Sequence, residues 1–208
     1  MKLHLNFDLD SVTTNWPKAA RNWVAKNYPE EKRMTLSDQK IWDFASCYPH
    51  IKEKIEKMYF CPDKGFYRNL EPIEGAIEKI TLLAEQGHHI SFVSSPLPIG
   101  RPEYLKHYNG SEILQKEFYD QVVEEKSSFL AEKFSHIDYD FHPAHDKTLI
   151  GGDFHFDDNP NADKGSRTPS WQLIVFDVGY GWLEDYRGRK VNWNNILEFV
   201  SIASLSSS

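Results

Sequence analysis

The stretch KLHLNFDLDSVTTNW, Lys2 to Trp16, decides how the rest of the chain is read. Leu3, Leu5 and Phe7 alternate with Lys2, His4 and Asn6, the period-2 pattern of a strand. The run ends in Asp8 and Asp10, one residue apart, followed by small and hydroxylated residues where a chain turns. As the first strand of an α/β sheet it delivers both carboxylates to the carboxyl edge, where open sheets bind ligands. Two carboxylates that close repel, and one is driven toward protonation unless a cation lies between them. Mg2+ resolves such a conflict, commonly with one or two carboxylates and a substrate phosphate. Standing alone, D-x-D also suits a solvated strand end.

The composition bounds the answer. At 208 residues the chain suits one α/β domain with a small insertion, and it is long enough to bury a sizeable core. A net charge of −7 argues against a nucleic-acid polymer as partner, which needs a basic face. A small anionic substrate stays compatible, because a metal and a few lysines make a pocket locally positive. Cys47 and Cys61 fit neither a disulfide framework nor a metal motif, which points to a reducing interior. No leading apolar segment resembles a signal peptide and no apolar run approaches a membrane span. The expectation is a cytoplasmic protein without membrane partners, compatible with a homodimer.

Along the chain, Asn15 to Asn27 carries Trp16, Ala19, Ala20, Trp23 and Val24 at helical spacing, with Pro17 where a helix tolerates it. Thr35 to Asp38 reads as the cap of a second helix bearing Ile41, Trp42 and Phe44. Pro49 opens a third, with Ile51, Ile55 and Met58 on one face, and Pro62 to Gly65 is a turn. Residues 12–64 are thus a small helical insertion. Pro72 starts an amphipathic helix through Ile73, Ile77, Ile80 and Ala84 that Gly87 stops, and His89 to Val93 follows as a strand delivering Ser94 and Ser95. A strand, crossover and strand of this length make a parallel pair. Leu97 to Gln121 reads as a long loop with short helical pieces, and Val122 to Phe134 as a helix. Ile137 to Phe141 and Trp171 to Phe176 read as strands, Gly151 to Pro160 as a brief alternating strand ending in a second acidic pair, Trp193 to Ile202 as a closing helix, and the Ser-rich tail as frayed.

Two acidic clusters at strand ends, Asp8/Asp10 and Asp157/Asp158, make an oxygen-rich Mg2+ site if the sheet sets them side by side. Ser94 could donate to a phosphate, and Lys126 could place a cation on it. The ordered set D-x-D, strand-ending Ser, Lys and acidic pair resembles the four-part pattern of the haloacid dehalogenase superfamily of phosphotransferases. Gly65 to Ala76 (GFYRNLEPIEGA), Ser94 to Leu97 (SSPL), Asp146-Lys147-Thr148, Asp157-Asp158 and Thr168 to Trp171 (TPSW) further resemble the 5'(3')-deoxyribonucleotidases. The closing Val191 to Leu197 resembles that family's last helix.

The resemblance implies a three-layer Rossmann-like α/β fold with a central parallel sheet. Residues 1–11 and 65–208 would form the core, and 12–64 a helical cap inserted after the first strand. It implies Asp8 as nucleophile forming an aspartyl-phosphate, and Asp10 as the acid that protonates the leaving oxygen and then activates water. Asp8, the backbone carbonyl of Asp10 and Asp158 would hold Mg2+, with Asp157 in support. Ser94, Ser95 and Lys126 would grip the phosphate, with Lys147 also in the substrate site. Trp16 falls where the family stacks an aromatic on the base, and Trp42 and Phe44 fall near it. The implied substrate is a deoxyribonucleoside monophosphate; another small phosphate ester, or phosphate binding without catalysis, are the alternatives. Three departures stand out. Ser11 replaces a usual Gly, His145 replaces an Arg, and the 97–121 segment is longer than the family's loop.

The structural readings of the same residues stay open beside these roles. Lys126 also suits a solvated helix lysine, and Trp16, Trp42 and Phe44 also suit ordinary packing between insertion and core.

Overall fold

Strand β1 is His4–Phe7, and its alternation reports two buried faces of unlike polarity rather than one wet face. Leu5 and Phe7 enter the apolar core, while Asn6 is equally buried and donates its amide to Gly151 O at 2.9 Å. The computed structural model describes residues 1–97 and 99–206. Pro98 of the long loop and Ser207 and Ser208 of the tail lie outside the described residues.

Six strands form one parallel sheet in the order β3-β2-β1-β4-β5-β6. The others are β2 (His89–Ser94), β3 (Asp140–Pro143), β4 (Phe154–Asp157), β5 (Gln172–Phe176) and β6 (Lys190–Val191). Phe7 pairs with Phe92 of β2 and Phe156 of β4, so these three strands end level with one another. The chain runs from β1 outward to β3 on one side and from β4 outward to β6 on the other. β1 and β4 therefore flank the topological switch point, where a sheet of this kind opens a crevice.

One face packs on helices α3 (Ala76–Glu85), α4 (Glu112–Phe134) and α5 (Ile196–Ser206). Leu5, Phe7, Phe92, Phe156, Ile174 and Phe176 meet Ile80, Leu83, Phe129, Phe134 and Ile196 there, all buried. The opposite face buries Asn6, Ser91 and His155. Gly151 accepts from Asn6, and Trp171 packs on the His155 ring at 4.6 Å.

Between β1 and α3 lie α1 (Trp16–Asn27), a 3-10 turn (Phe44–Cys47) and α2 (Lys52–Phe60). Asn15 caps α1 by accepting from Lys18 N, and Ala20, Val24, Phe44, Tyr48, Ile55 and Met58 make a separate small core. The two chain crossings to this unit run side by side, with Asn15 N donating to Glu71 O and Ile73 N to Thr13 O. Among the described residues no helix is long and apolar enough to cross a membrane.

Several element boundaries differ from the sequence expectation. No α-helix carries Ile41 and Trp42: Thr35 and Asp38 close on each other at 2.8 Å in a turn, and Asp43 caps the 3-10 turn by accepting from Ala45 N. α3 begins at Ala76 rather than at Pro72, because Pro72 bridges Thr14 and Gly75 takes φ +84. Residues 112–121 belong to α4, a 23-residue helix capped by Ser111, whose first turns expose Ile113 and so lack a steady apolar stripe. β3 starts three residues later than Ile137, and the short β6 carries no pattern that a two-residue strand could show.

Candidate active site

The carboxyl ends of β1 and β4 bring Asp8, Asp157 and Asp158 together, each buried and each offering an oxygen within 4.8 Å of the others. Asp8 N donates to Phe156 O at 2.9 Å, which locks the two strand ends in register. Burial first, and then the charges of Asp157 and Asp10 against the pull of Lys147, raises Asp8 from the usual 3.8 to about 7. Burial, Asp157 and Asp8 push Asp158 well above the carboxylate range. Burial also presses on Asp157, but Lys147 and His155 outweigh it and hold this carboxyl below its ordinary value.

Lys147 lies on the floor of the site, its ammonium 2.6 Å from Asp157 Oδ2 and 2.9 Å from Asp8 Oδ1. Burial opposes its charge, yet Asp157 and Asp8 keep it firmly protonated. His155 Nε2 meets Asp157 Oδ2 at 2.8 Å, and Asn159 N donates to Asp157 Oδ1 at 2.8 Å. Asp157 is thereby saturated. Asp8 Oδ1, by contrast, receives no well-directed hydrogen bond. One ammonium cannot neutralise three buried carboxylates, and three carboxyls of which two, Asp8 and Asp158, are driven toward protonation make a hard-donor set. It fits a divalent cation of the Mg2+ type.

Asp10 faces the other way. Its Oδ2 accepts from Lys126 Nζ at 2.5 Å, and the same ammonium donates to Ser94 Oγ at 2.8 Å. The Asp10 carboxylate is not in the three-carboxylate group, and the expectation for its metal contact concerns its backbone carbonyl. Lys126 leaves α4 into a site where it is 3% exposed, and the Tyr67 ring covers it at 4.7 Å. Between the two aspartates the chain makes a tight loop. Thr13 Oγ1 donates to Asp8 O at 2.8 Å, and Ser11 takes φ +68. Ser11 therefore holds a left-handed conformation that a Gly adopts at no steric cost, a strain of about 1 kcal/mol. Its hydroxyl accepts from Tyr180 at 3.0 Å and bonds to Asp158.

These groups open into a cavity of about 820 Å3. Asp8, Asp10, Asp157, Asp158, Lys147, Ser95, Trp16, Trp42 and Phe44 all line it, whereas Ser94 and Lys126 sit behind Asp10 and do not. Trp16 meets Tyr59 edge-on at 5.3 Å and Phe44 at 6.0 Å, forming an aromatic wall, with Trp42 half exposed at the rim. Ser95 Oγ donates to Ala144 O at 3.2 Å. His145 and Arg101 also line it, and partial burial followed by the Arg101 charge lowers the His145 pKa.

Several lining residues had no sequence signal. Tyr180 lies 169 residues from Ser11, in a turn whose glycines and aromatics resemble any surface loop. Tyr59 presents a buried hydroxyl without a partner, but its helical spacing marks it only as core. Arg101 stands in the segment read as loop. Tyr67 and Glu125 belonged to motif and helix respectively, but neither spacing revealed the contacts with Lys126 and the 65–67 turn.

A family model described as 5' nucleotidase, deoxy (pyrimidine), cytosolic type C protein matches residues 2–205. A Bordetella bronchiseptica protein, provisionally named 5'(3')-deoxyribonucleotidase, is 27% identical over 91% of this chain and 92% of its own. The human cytosolic-type 5'(3')-deoxyribonucleotidase is 24% identical over 90% of this chain and 88% of its own. A solved HAD family hydrolase from Deinococcus radiodurans R1, with bound phosphate and sodium, aligns at TM-score 0.47 and 12% identity, covering 97% of this chain and 96% of its own.

Proposed function

The chain belongs to the 5' nucleotidase, deoxy (pyrimidine), cytosolic type C family, and from that premise we propose that it removes phosphate from deoxyribonucleoside monophosphates through an aspartyl-phosphate on Asp8, with Mg2+. It is a phosphoric monoester hydrolase of the 5'-nucleotidase type. The observation that carries the finer reading is the convergence of Asp8, Asp157 and Asp158 oxygens within 4.8 Å at the floor of an aromatic-walled cavity.

In this reading the Asp8 carboxylate attacks phosphorus as the ester P–O bond breaks. Asp10 gives its proton to the departing nucleoside oxygen, then takes a proton from the water that attacks the aspartyl-phosphate. Phosphate leaves and Asp8 returns as a carboxylate. Lys126 and Ser94, set behind Asp10, hold it and place a positive charge behind the phosphate, and Lys147 bridges Asp8 and Asp157 as a fixed cation that offsets their repulsion. Asp8, Asp158 and the Asp10 carbonyl would hold Mg2+, supported by Asp157. When bound, the ion supplies charge neutralisation for the phosphate and for the carboxylates around it. Trp16, Phe44 and Trp42, on the 12–64 cap, would receive the base.

The test is phosphate release with Mg2+ across deoxyribonucleoside monophosphates, their ribose counterparts, sugar phosphates and p-nitrophenyl phosphate. Preference for the deoxynucleotides is the expected result. Turnover of p-nitrophenyl phosphate alone keeps the chemistry and removes the nucleotide assignment, and no turnover removes the enzymatic reading.

A further inference from the structure

Glu125 is a buried carboxylate that the chemistry above leaves unused. It immediately precedes Lys126 on α4, and its partners are neutral N–H donors rather than a cation. Oε1 accepts from Gly65 N at 2.6 Å and from Gln121 Nε2 at 3.0 Å, and Oε2 accepts from Tyr67 N at 2.9 Å. Hydrogen bonds to a carboxylate are stronger than neutral ones, so this is a firm clamp on three residues of backbone.

Those residues carry the chain from α2 back into the core. Gly65 takes φ +87, a left-handed backbone that other residues rarely adopt. Beyond it, the Tyr67 ring packs with Leu70, Leu97 and Val122 and stands 4.7 Å from Lys126 Nζ, with Trp16 packed against the same cluster. Two consecutive helix residues thus grip one tyrosine, Glu125 by its backbone and Lys126 by its ring face.

We propose that Glu125 is a positioning residue for Lys126: by fixing the 65–67 turn to α4 it seats the Tyr67 ring against the ammonium, holds Nζ on Asp10 and Ser94, and registers the Trp16 wall to the phosphate end of the pocket. The inference rests on the assignment of Lys126 to the phosphate. Its test is a double-mutant cycle in the full chain, read by calorimetric titration of inorganic phosphate with Mg2+ present. Lys126→Met weakens phosphate binding by about thirtyfold and Glu125→Gln by about tenfold, the range of a lost charge-assisted hydrogen bond. In the double variant Glu125→Gln adds nothing. Should Lys126→Met bind too weakly to titrate, the same cycle is read in kcat on p-nitrophenyl phosphate. Should Glu125→Gln not fold by its melting curve, Tyr67→Leu takes its place, since it keeps the backbone N–H and removes the ring. Additive losses, as a general structural role gives, or wild-type affinity in Glu125→Gln overturn the inference. Wild-type affinity in Lys126→Met instead removes Lys126 from the phosphate site and leaves the fault with the functional reading.

Discussion

Lys147 and Asp8 form an ion pair, Nζ to Oδ1 at 2.9 Å, on the floor of the cavity. The same ammonium reaches Asp157 at 2.6 Å, so one cation serves two carboxylates whose strands are neighbours in the sheet. Burial drives Asp8 toward the protonated form, and Lys147 is the strongest force against it. The proposed nucleophilic role of Asp8 requires an ionised carboxylate, so in that reading Lys147 matters for reactivity even where it touches no substrate.

Lys147→Met removes that force, and the Asp8 pKa rises further. The acid limb of the kcat/KM profile moves to higher pH by about one unit or more, equivalent to about 1.4 kcal/mol. Activity falls more at pH 6.5 than at pH 8.5. A parallel loss at both pH values means Lys147 acts on the substrate or the fold and not through Asp8.

Asp8→Asn keeps size and shape but removes the carboxylate proposed as nucleophile. Phosphate release falls by at least about 10⁴-fold, the scale of losing a covalent nucleophile, while the melting curve stays cooperative. Turnover near wild type takes Asp8 out of the mechanism. In the same variant a beryllium fluoride adduct, which mimics an aspartyl-phosphate, fails to form with Mg2+ present.

The sheet was legible because its strands are apolar runs and its carboxyl ends carry the acids. Phe7, Phe92 and Phe156 align the ends of β1, β2 and β4, and Asp8 and Asp157 follow from the strand they close. The insertion was legible only where helical spacing was strong, as in Trp16–Asn27. Side chains that fold back on their own backbone hid the rest. Thr35 and Asp38, read as a helix cap, close a turn instead, and Ser111 starts α4 in a stretch whose apolar residues keep no fixed face. Contacts such as Tyr180 with Ser11 depend on where a distant loop lands, which no local spacing encodes.

Trp16→Ala opens the aromatic wall that Tyr59 and Phe44 complete. Loss of one base-stacking ring is worth about 1–3 kcal/mol, so KM for deoxyribonucleoside monophosphates rises about tenfold with little change in kcat. p-Nitrophenyl phosphate, which has no nucleobase to place there, keeps its KM within about twofold. Equal changes on both substrates make Trp16 a packing residue of the cap.

The proposed metal site links metal removal to pH. Asp8 is raised in the folded protein to about 7 from its usual 3.8, and Asp158 moves in the same direction. Between those pH values the folded state holds protons that the unfolded chain has released. Stability contributed by these groups is therefore present at low pH and lost as pH rises toward 7. Asp157, shifted downward, titrates below this window, and Lys147, shifted upward, above it. His145 and the buried His155 are shifted down and contribute with the opposite sign up to their unfolded pKa. The difference in melting temperature between Mg2+-loaded and chelator-treated protein isolates the carboxylates. Mg2+ must displace their protons, so its stabilisation grows from pH 5.5 to pH 7.5. In Asp8→Asn the growth shrinks, because one of the protons to be displaced is gone. A Mg2+ shift that is flat with pH, or one that survives unchanged in Asp8→Asn, places the ion elsewhere than on these aspartates.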